Sequence, residues 1–158
     1  MELLEHATSL SEIDHRTEPP LVLVIDDQPA IQDLLSWALK LHGYRPVCVA
    51  NGREALAWME EALCTRQYPA AIILDLLMPV MDGAEFLTCL RARMDAFVPI
   101  PPVILLTVDK SSHDDLACSQ VLIKPFHIRD LYAHLKTLAL SSHTRSSHPV
   151  ATWVSDPC

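Results

Sequence analysis

Glycine is scarce in this sequence, with 3 in 158 residues against 12 prolines. The chain must therefore rely on regular elements, with few tight glycine turns. Paired cysteines are missing as well. Cys48, Cys64, Cys89, Cys118 and Cys158 form an odd, scattered set, none spaced as in a zinc ribbon, which excludes a disulfide framework and a cysteine metal site. They read as inert thiols, mostly in the core, of a reducing compartment. Long apolar runs are also lacking: Leu21 to Ile25 and Ala70 to Leu74 are among the longest, and a membrane span needs roughly 20 such residues. The opening residues carry Glu2 and Glu5 and no basic start, so no secretory signal is visible and a cytoplasmic location is expected. Positive charge is the last deficit. Twelve Lys and Arg face 20 Asp and Glu, a formal net charge of -8, which argues against direct binding to nucleic acid or to an anionic membrane. Half of the residues are apolar, and a chain of this length buries roughly 68 to 70% of its unfolded surface, enough for one domain without a metal or disulfide.

Residues 1–20 are polar and end in a proline pair. Leu3, Leu4, Ala7 and Leu10 have helical spacing there, which suits a short docking helix or a loosely ordered leader. Leu21 to Ile25 is a continuous aliphatic run, the pattern of a strand buried on both faces of a parallel sheet, and it leads into Asp26 and Asp27. Ile31, Leu34, Leu35, Ala38, Leu39 and Leu41 mark an amphipathic helix that Gly43 ends. Val47 to Ala50 reads as a second strand, and Asn51 caps a helix whose third position is Glu54. Ala70 to Leu74 predicts a third strand ending at Asp75. A loop with Pro79 and Asp82-Gly83 follows, then a helix from about Ala84 to Met94. Val103 to Leu106 ends at Thr107, and Val121 to Ile123 ends at Lys124-Pro125. Between them, Ser111 to Cys118 has room for one or two helical turns, and Ile128 to Leu138 supplies a last helix. Trp37 and Trp58 read as packing residues on their helices, and His143 and His148 as solvated.

Strand and helix alternate, which predicts an α/β fold: a doubly wound, five-stranded parallel sheet with helices on both faces. Ligands of such sheets bind outside the carboxyl ends of the strands. Asp26 and Asp27, Asp75, Thr107 and Lys124 all fall at those ends. Three clustered carboxylates repel one another and relax by protonation or by binding a cation. Oxygen donors without His or Cys favour magnesium. With Lys124 to pair a phosphoryl oxygen and Thr107 to donate a hydrogen bond, the set suits phosphoryl transfer to Asp75 as a nucleophile.

Five segments in order, Val24-Ile25-Asp26-Asp27, Ile73-Leu74-Asp75, Met78-Pro79 with Met81-Asp82-Gly83, Leu106-Thr107 and Lys124-Pro125-Phe126, give the chain its resemblance to the receiver domains of two-component response regulators. The resemblance covers about residues 21–140 and leaves 141–158 as a flexible tail, so it implies a flavodoxin-like receiver fold of the stand-alone type. It further implies that Asp26 and Asp27 hold Mg2+, Asp27 directly and Asp26 through water, with Asp75 and the backbone carbonyl of Leu77 completing the protein's ligands. Asp75 would accept a phosphoryl group from a histidine kinase or a histidine phosphotransfer protein. Thr107 would be the switch hydroxyl, Lys124 would bind the phosphoryl group, and the Lys124-Pro125 bond would be cis. Such a domain is not an enzyme in the usual sense, although it catalyses its own phosphorylation and dephosphorylation. Its output would pass through a downstream protein that the sequence does not identify, through another copy, or by onward transfer of the phosphoryl group.

The chain also departs from that pattern. The fourth helix is expected to be short or irregular, because the stretch before the fifth strand lacks the usual Gly-Ala turn. Val121 stands where relatives carry an aromatic, and Val108 where they carry a small residue. That face pairs monomers in many relatives, so a homodimer is one option among others. Leu77 follows the acceptor at the position that tunes dephosphorylation and cannot orient water, whereas Asp109, at the corresponding place after Thr107, can. The altered face motivates an alternative reading, a receiver-fold scaffold with vestigial phosphorylation. A hydrolase acting through an aspartyl phosphate would need an acid-base carboxylate where Leu77 stands.

Overall fold

The computed structural model describes residues 18–94, 98–109, 111, 116 and 118–142, the side chains of 139–142 excepted. The leader up to residue 17, the tail from residue 143 and most of the expected fourth helix lie outside the described residues. Strands and helices follow one another as β1 (Leu21–Ile25), α1 (Pro29–Leu41), β2 (Arg45–Val49), α2 (Gly52–Cys64), β3 (Ala71–Asp75), α3 (Gly83–Arg93), β4 (Val103–Thr107), β5 (Gln120–Ile123) and α4 (Ile128–Ser142). The five strands form one parallel sheet in the order β2-β1-β3-β4-β5. The order reverses direction between β1 and β3, which opens a crevice at their carboxyl ends.

Side chains alternate across a strand, and the two faces of the sheet sort accordingly. Leu23, Ile25, Ile72, Leu74, Val103 and Leu105 pack with Ala55, Leu56 and Met59 of α2 and Phe86, Leu87 and Leu90 of α3. Val22, Val24, Ile73, Ile104, Leu106 and Leu122 pack on the other face with Leu35 and Leu39 of α1 and Leu131 and Leu135 of α4. Each fully buried side chain of this size stabilises the fold by about 1.5 to 3 kcal/mol relative to its exposed state. Against α1, the Tyr132 hydroxyl of α4 donates to the Ala38 carbonyl and its ring stacks on His42.

Several elements differ from the sequence expectation. Asp82 and Gly83 do not form a free loop. Asp82 caps α3, accepting from the Glu85 N–H at 2.8 Å while Glu85 accepts from the Asp82 N–H at 3.1 Å, and this reciprocal pair starts the helix at Gly83. At α2, Asn51 accepts from the Glu54 N–H as expected, but Glu54 reaches the Ala50 N–H rather than that of Asn51. The larger correction is in α1. Leu34, Trp37 and Leu41 were expected to pack inward, yet they are 42%, 60% and 63% exposed. Apolar residues occupy so much of the helix circumference that the sheet takes Leu35, Ala38 and Leu39 and leaves the others outside. Cys64 is exposed, and Cys48, Cys89 and Cys118 are only half-buried, so the thiols are less central than expected.

Scarce glycine has a visible consequence. Gly43 takes a positive φ of 78° after α1, but the other positive angles fall to Arg66 at 56° and Val80 at 71°. Val80 is β-branched and strained in that region.

Candidate functional site

Strand register brings the predicted residues to one edge. Ile25 lies beside Leu74, so Asp26 follows β1 where Asp75 ends β3. Thr107 lies beside Ile123, so Lys124 comes one step beyond. Asp26 and Asp75 are buried, at 0% and 5% exposure. The Lys124 ammonium reaches both, at 3.5 Å from Asp26 Oδ2 and 3.2 Å from Asp75 Oδ1.

Alternation explains why these three meet. Asp75 and Lys124 continue the residues that face α1 and α4, whereas Thr107 continues Val103 and Leu105, which face α2 and α3. The Thr107 hydroxyl accordingly engages its own loop, accepting from the Asp109 N–H at 3.2 Å and donating to the Asp109 carbonyl at 3.2 Å. Asp109 in turn accepts from the Ser111 N–H and hydroxyl at 2.9 and 2.8 Å.

Carboxylate oxygens of Asp26, Asp27 and Asp75 lie within 4.8 Å of one another. Asp26 accepts from the Gln28 N–H and from Lys124. Asp27 is different: its Oδ1 is buried with no hydrogen-bond partner among the described residues. Leaving a buried charged oxygen unsatisfied is costly, and an all-oxygen donor set with one uncommitted oxygen fits a hard divalent cation. Burial pushes the Asp75 carboxyl above its ordinary value and nearby Asp26 adds to the effect, while the Lys124 ammonium and the Leu77 N–H pull it back.

Sequence reasoning missed the groups that hold this edge in place. The Gln32 side-chain amide donates to the Asp26 and Val49 carbonyls at 2.6 and 3.1 Å, tying α1 to the exits of β1 and β2. Nothing in the sequence separates Gln32 from an ordinary helix polar residue. Gly83 donates its N–H to the Leu76 carbonyl at 2.9 Å, closing the loop after Asp75. Inside that loop the Met81 N–H reaches the Pro79 carbonyl at 2.8 Å across the strained Val80. Leu77, Val80 and Val108 stand exposed around the crevice. The Lys124-Pro125 bond is cis.

Comparison with known proteins matches residues 22–136 to the family model described as the response regulator receiver domain. Among curated relatives, the DNA-binding dual master transcriptional regulator RpaA of Synechocystis is 35% identical over 124 residues, covering 75% of this chain and 48% of RpaA. The transcriptional regulatory protein PrrA of Mycobacterium tuberculosis is 36% identical over 131 residues, covering 80% and 52%. The chain thus spans about half the length of the curated relatives it matches. Solved structures that resemble it include the Vibrio cholerae chemotaxis protein CheY4 (TM-score 0.65, 31% identity, 75% of this chain and 98% of that one). The receiver domain of a histidine kinase from Syntrophus aciditrophicus is similar as well (TM-score 0.67, 30% identity, 81% and 95%). Among the described residues, no helix is long and apolar enough to cross a membrane.

Proposed function

The chain belongs to the response regulator receiver family, and from that premise we propose that it is a phosphoacceptor switch whose Asp75 takes a phosphoryl group from a histidine kinase or a histidine phosphotransfer protein. One observation supports this above the others: Lys124 bridges Asp26 and Asp75 while a buried Asp27 oxygen beside them has no hydrogen-bond partner among the described residues. Asp26, Asp27 and Asp75, with the Leu77 carbonyl, would hold Mg2+, which when bound supplies positive charge to the phosphoryl oxygens.

The remaining steps belong to the protein's own groups. An Asp75 carboxylate oxygen attacks phosphorus, the bond from phosphorus to the donor's imidazole nitrogen breaks, and the imidazole, already protonated on its other ring nitrogen, departs neutral with the bonding pair. Asp75 is held for this by Lys124 and by the Leu77 N–H. The Lys124 ammonium then shifts from the carboxylate to a phosphoryl oxygen. For the Thr107 hydroxyl to follow, it must give up both of its bonds to Asp109, which loosens the hold of Asp109 on Ser111. Movement of that loop would alter contact with a downstream protein. The acidic charge argues against this segment touching nucleic-acid phosphates itself, although the named relatives are transcriptional regulators.

The test is incubation of the protein with a small phosphodonor and magnesium, read by intact mass. A gain of one phosphoryl group in wild type and none in Asp75→Ala is expected. No gain in wild type, or an equal gain in the variant, refutes the proposal. Val121, with no ring hydroxyl to move with Thr107, favours the scaffold alternative. On that reading Asp75→Ala leaves partner binding unchanged.

A further inference from the structure

The outward face of α1 is not a random mixture. Ala30, Leu34, Trp37 and Leu41 are exposed and recur at intervals of 4, 3 and 4 residues, the repeat of a helix-pairing seam. The charged residues Asp33 and Lys40 are exposed along one flank of this seam, and neither has an ion-pair partner among the described residues. The opposite flank, Ile31 and Ala38, turns into the protein's own core.

We propose that α1 pairs with α1 of a second copy, antiparallel, about a two-fold axis. In that arrangement the seam complements itself. Leu34 faces Trp37 of the second copy and Ala30 faces its Leu41, and the same contacts recur with the copies exchanged. The register that makes these layers also sets Asp33 opposite Lys40 of the second copy, and Lys40 opposite Asp33. A two-fold interface must be self-complementary in this way, and the sign pattern satisfies that condition at both flanking positions. A parallel arrangement would set Asp33 and Lys40 of each copy against the opposite flank, Ile31 and Ala38, of the other and form neither ion pair.

The contact is small. The exposed parts of Leu34, Trp37 and Leu41 come to roughly 400 Å² per copy, about half of a standard interface. Self-association is therefore weak and concentration-dependent, with a dissociation constant on the order of tens to hundreds of micromolar. This surface is distinct from the face around β5 and α4.

Sedimentation equilibrium of the full chain across that range tests the proposal. Wild type should dimerise, and Trp37→Glu should weaken dimerisation at least tenfold. Asp33→Lys and Lys40→Asp each turn two attractive pairs repulsive and should weaken it about tenfold. An equimolar mixture of these two variants should recover association as a heterodimer, and the double variant Asp33→Lys/Lys40→Asp should recover the homodimer. Far-ultraviolet circular dichroism of every variant should match wild type, since the changed residues are exposed. A wild type that stays monomeric throughout the range overturns the proposal. So does a dimer indifferent to these substitutions, or a charge swap without recovery. A monomer whose Trp37→Glu variant loses phosphotransfer from a protein donor would assign the seam to that donor's helix and overturn it too.

Discussion

Gly83 sits where α3 begins and touches the backbone that carries Asp75. A Cβ there would stand 2.6 Å from the Asp75 carbonyl oxygen and 3.1 Å from Leu76 Cα. Ordinary contact begins at 3.4 Å, so Gly83→Ala forces the helix start and the strand exit apart by about 0.8 Å, the difference between 3.4 and 2.6 Å. Both obstacles are backbone, so no side chain can swing aside. Overpacking of this kind costs about 1 to 3 kcal/mol, and stretching the Gly83 N–H bond to the Leu76 carbonyl costs about 0.5 to 1.5 kcal/mol more. A total near 3 kcal/mol lowers Tm by about 10 °C in a domain of this size. The same displacement moves Asp75 relative to Lys124, and a misplacement approaching 1 Å can slow a positioned reaction by about 100-fold. Differential scanning calorimetry and the initial rate of phosphorylation from a small donor measure the two effects. The sign is the decisive point, because glycine to alanine at a compatible helical site usually stabilises by about 0.4 to 1 kcal/mol. A Gly83→Ala protein with unchanged or raised Tm and a wild-type rate would refute the packing argument.

Other expectations follow from the same edge. Without divalent cations, burial raises the Asp75 carboxyl, so the protonated form favours the fold below the unfolded value, and that stability is lost as pH rises through the folded value. Asp75→Asn lacks this loss, so in chelator its Tm should overtake that of wild type as pH rises from 3 to 7; parallel Tm curves would contradict the assignment. Magnesium at 100 times its dissociation constant should add about 2.7 kcal/mol to wild type, and Asp27→Asn, which removes the negative charge and replaces one carboxylate oxygen with an amide NH2, should abolish most of that gain in thermal melts. Leu77→Asn should shorten the phosphoryl lifetime, since Leu77 cannot orient an attacking water; an unchanged or slower loss of mass would dispose of that idea. Gly43→Ala should cost about 1 to 2 kcal/mol, through its positive φ and not through contact, and leave the phosphorylation rate alone.

The residues at strand ends were legible because parallel strands announce themselves. Leu21 to Ile25 and Val103 to Leu106 are buried on both faces, and the first polar residue after such a run falls at the binding edge. Which way each side chain points was harder to read. Thr107 belongs to the same edge but departs toward the other face, which follows from strand parity only once register is known. Asp82 and Gly83 looked like turn residues, because aspartate and glycine serve turns and helix starts alike. In α1 the pattern was apolar over too much of the circumference to reveal the buried side, and that ambiguity concealed the exposed seam. Gln32 carried no signal, because its partners are backbone carbonyls of two strands that only the fold brings together.

The ion pair between Asp26 and Lys124 joins residues 98 positions apart in the chain, and this separation bears on how the protein folds. Loop-closure entropy is paid before so distant a contact rewards it, so docking of β5 is expected after local helices and the neighbouring β1 and β3 have formed. A chain in which β5 had not yet docked would hold the carboxylates of Asp26, Asp27 and Asp75 without their ammonium. Repulsion among them then opposes collapse at the carboxyl edge, and the final docking of β5 removes it. A divalent cation relieves the same repulsion earlier, so refolding should be faster in magnesium than in chelator. That acceleration should vanish in a variant with all three aspartates changed to asparagine.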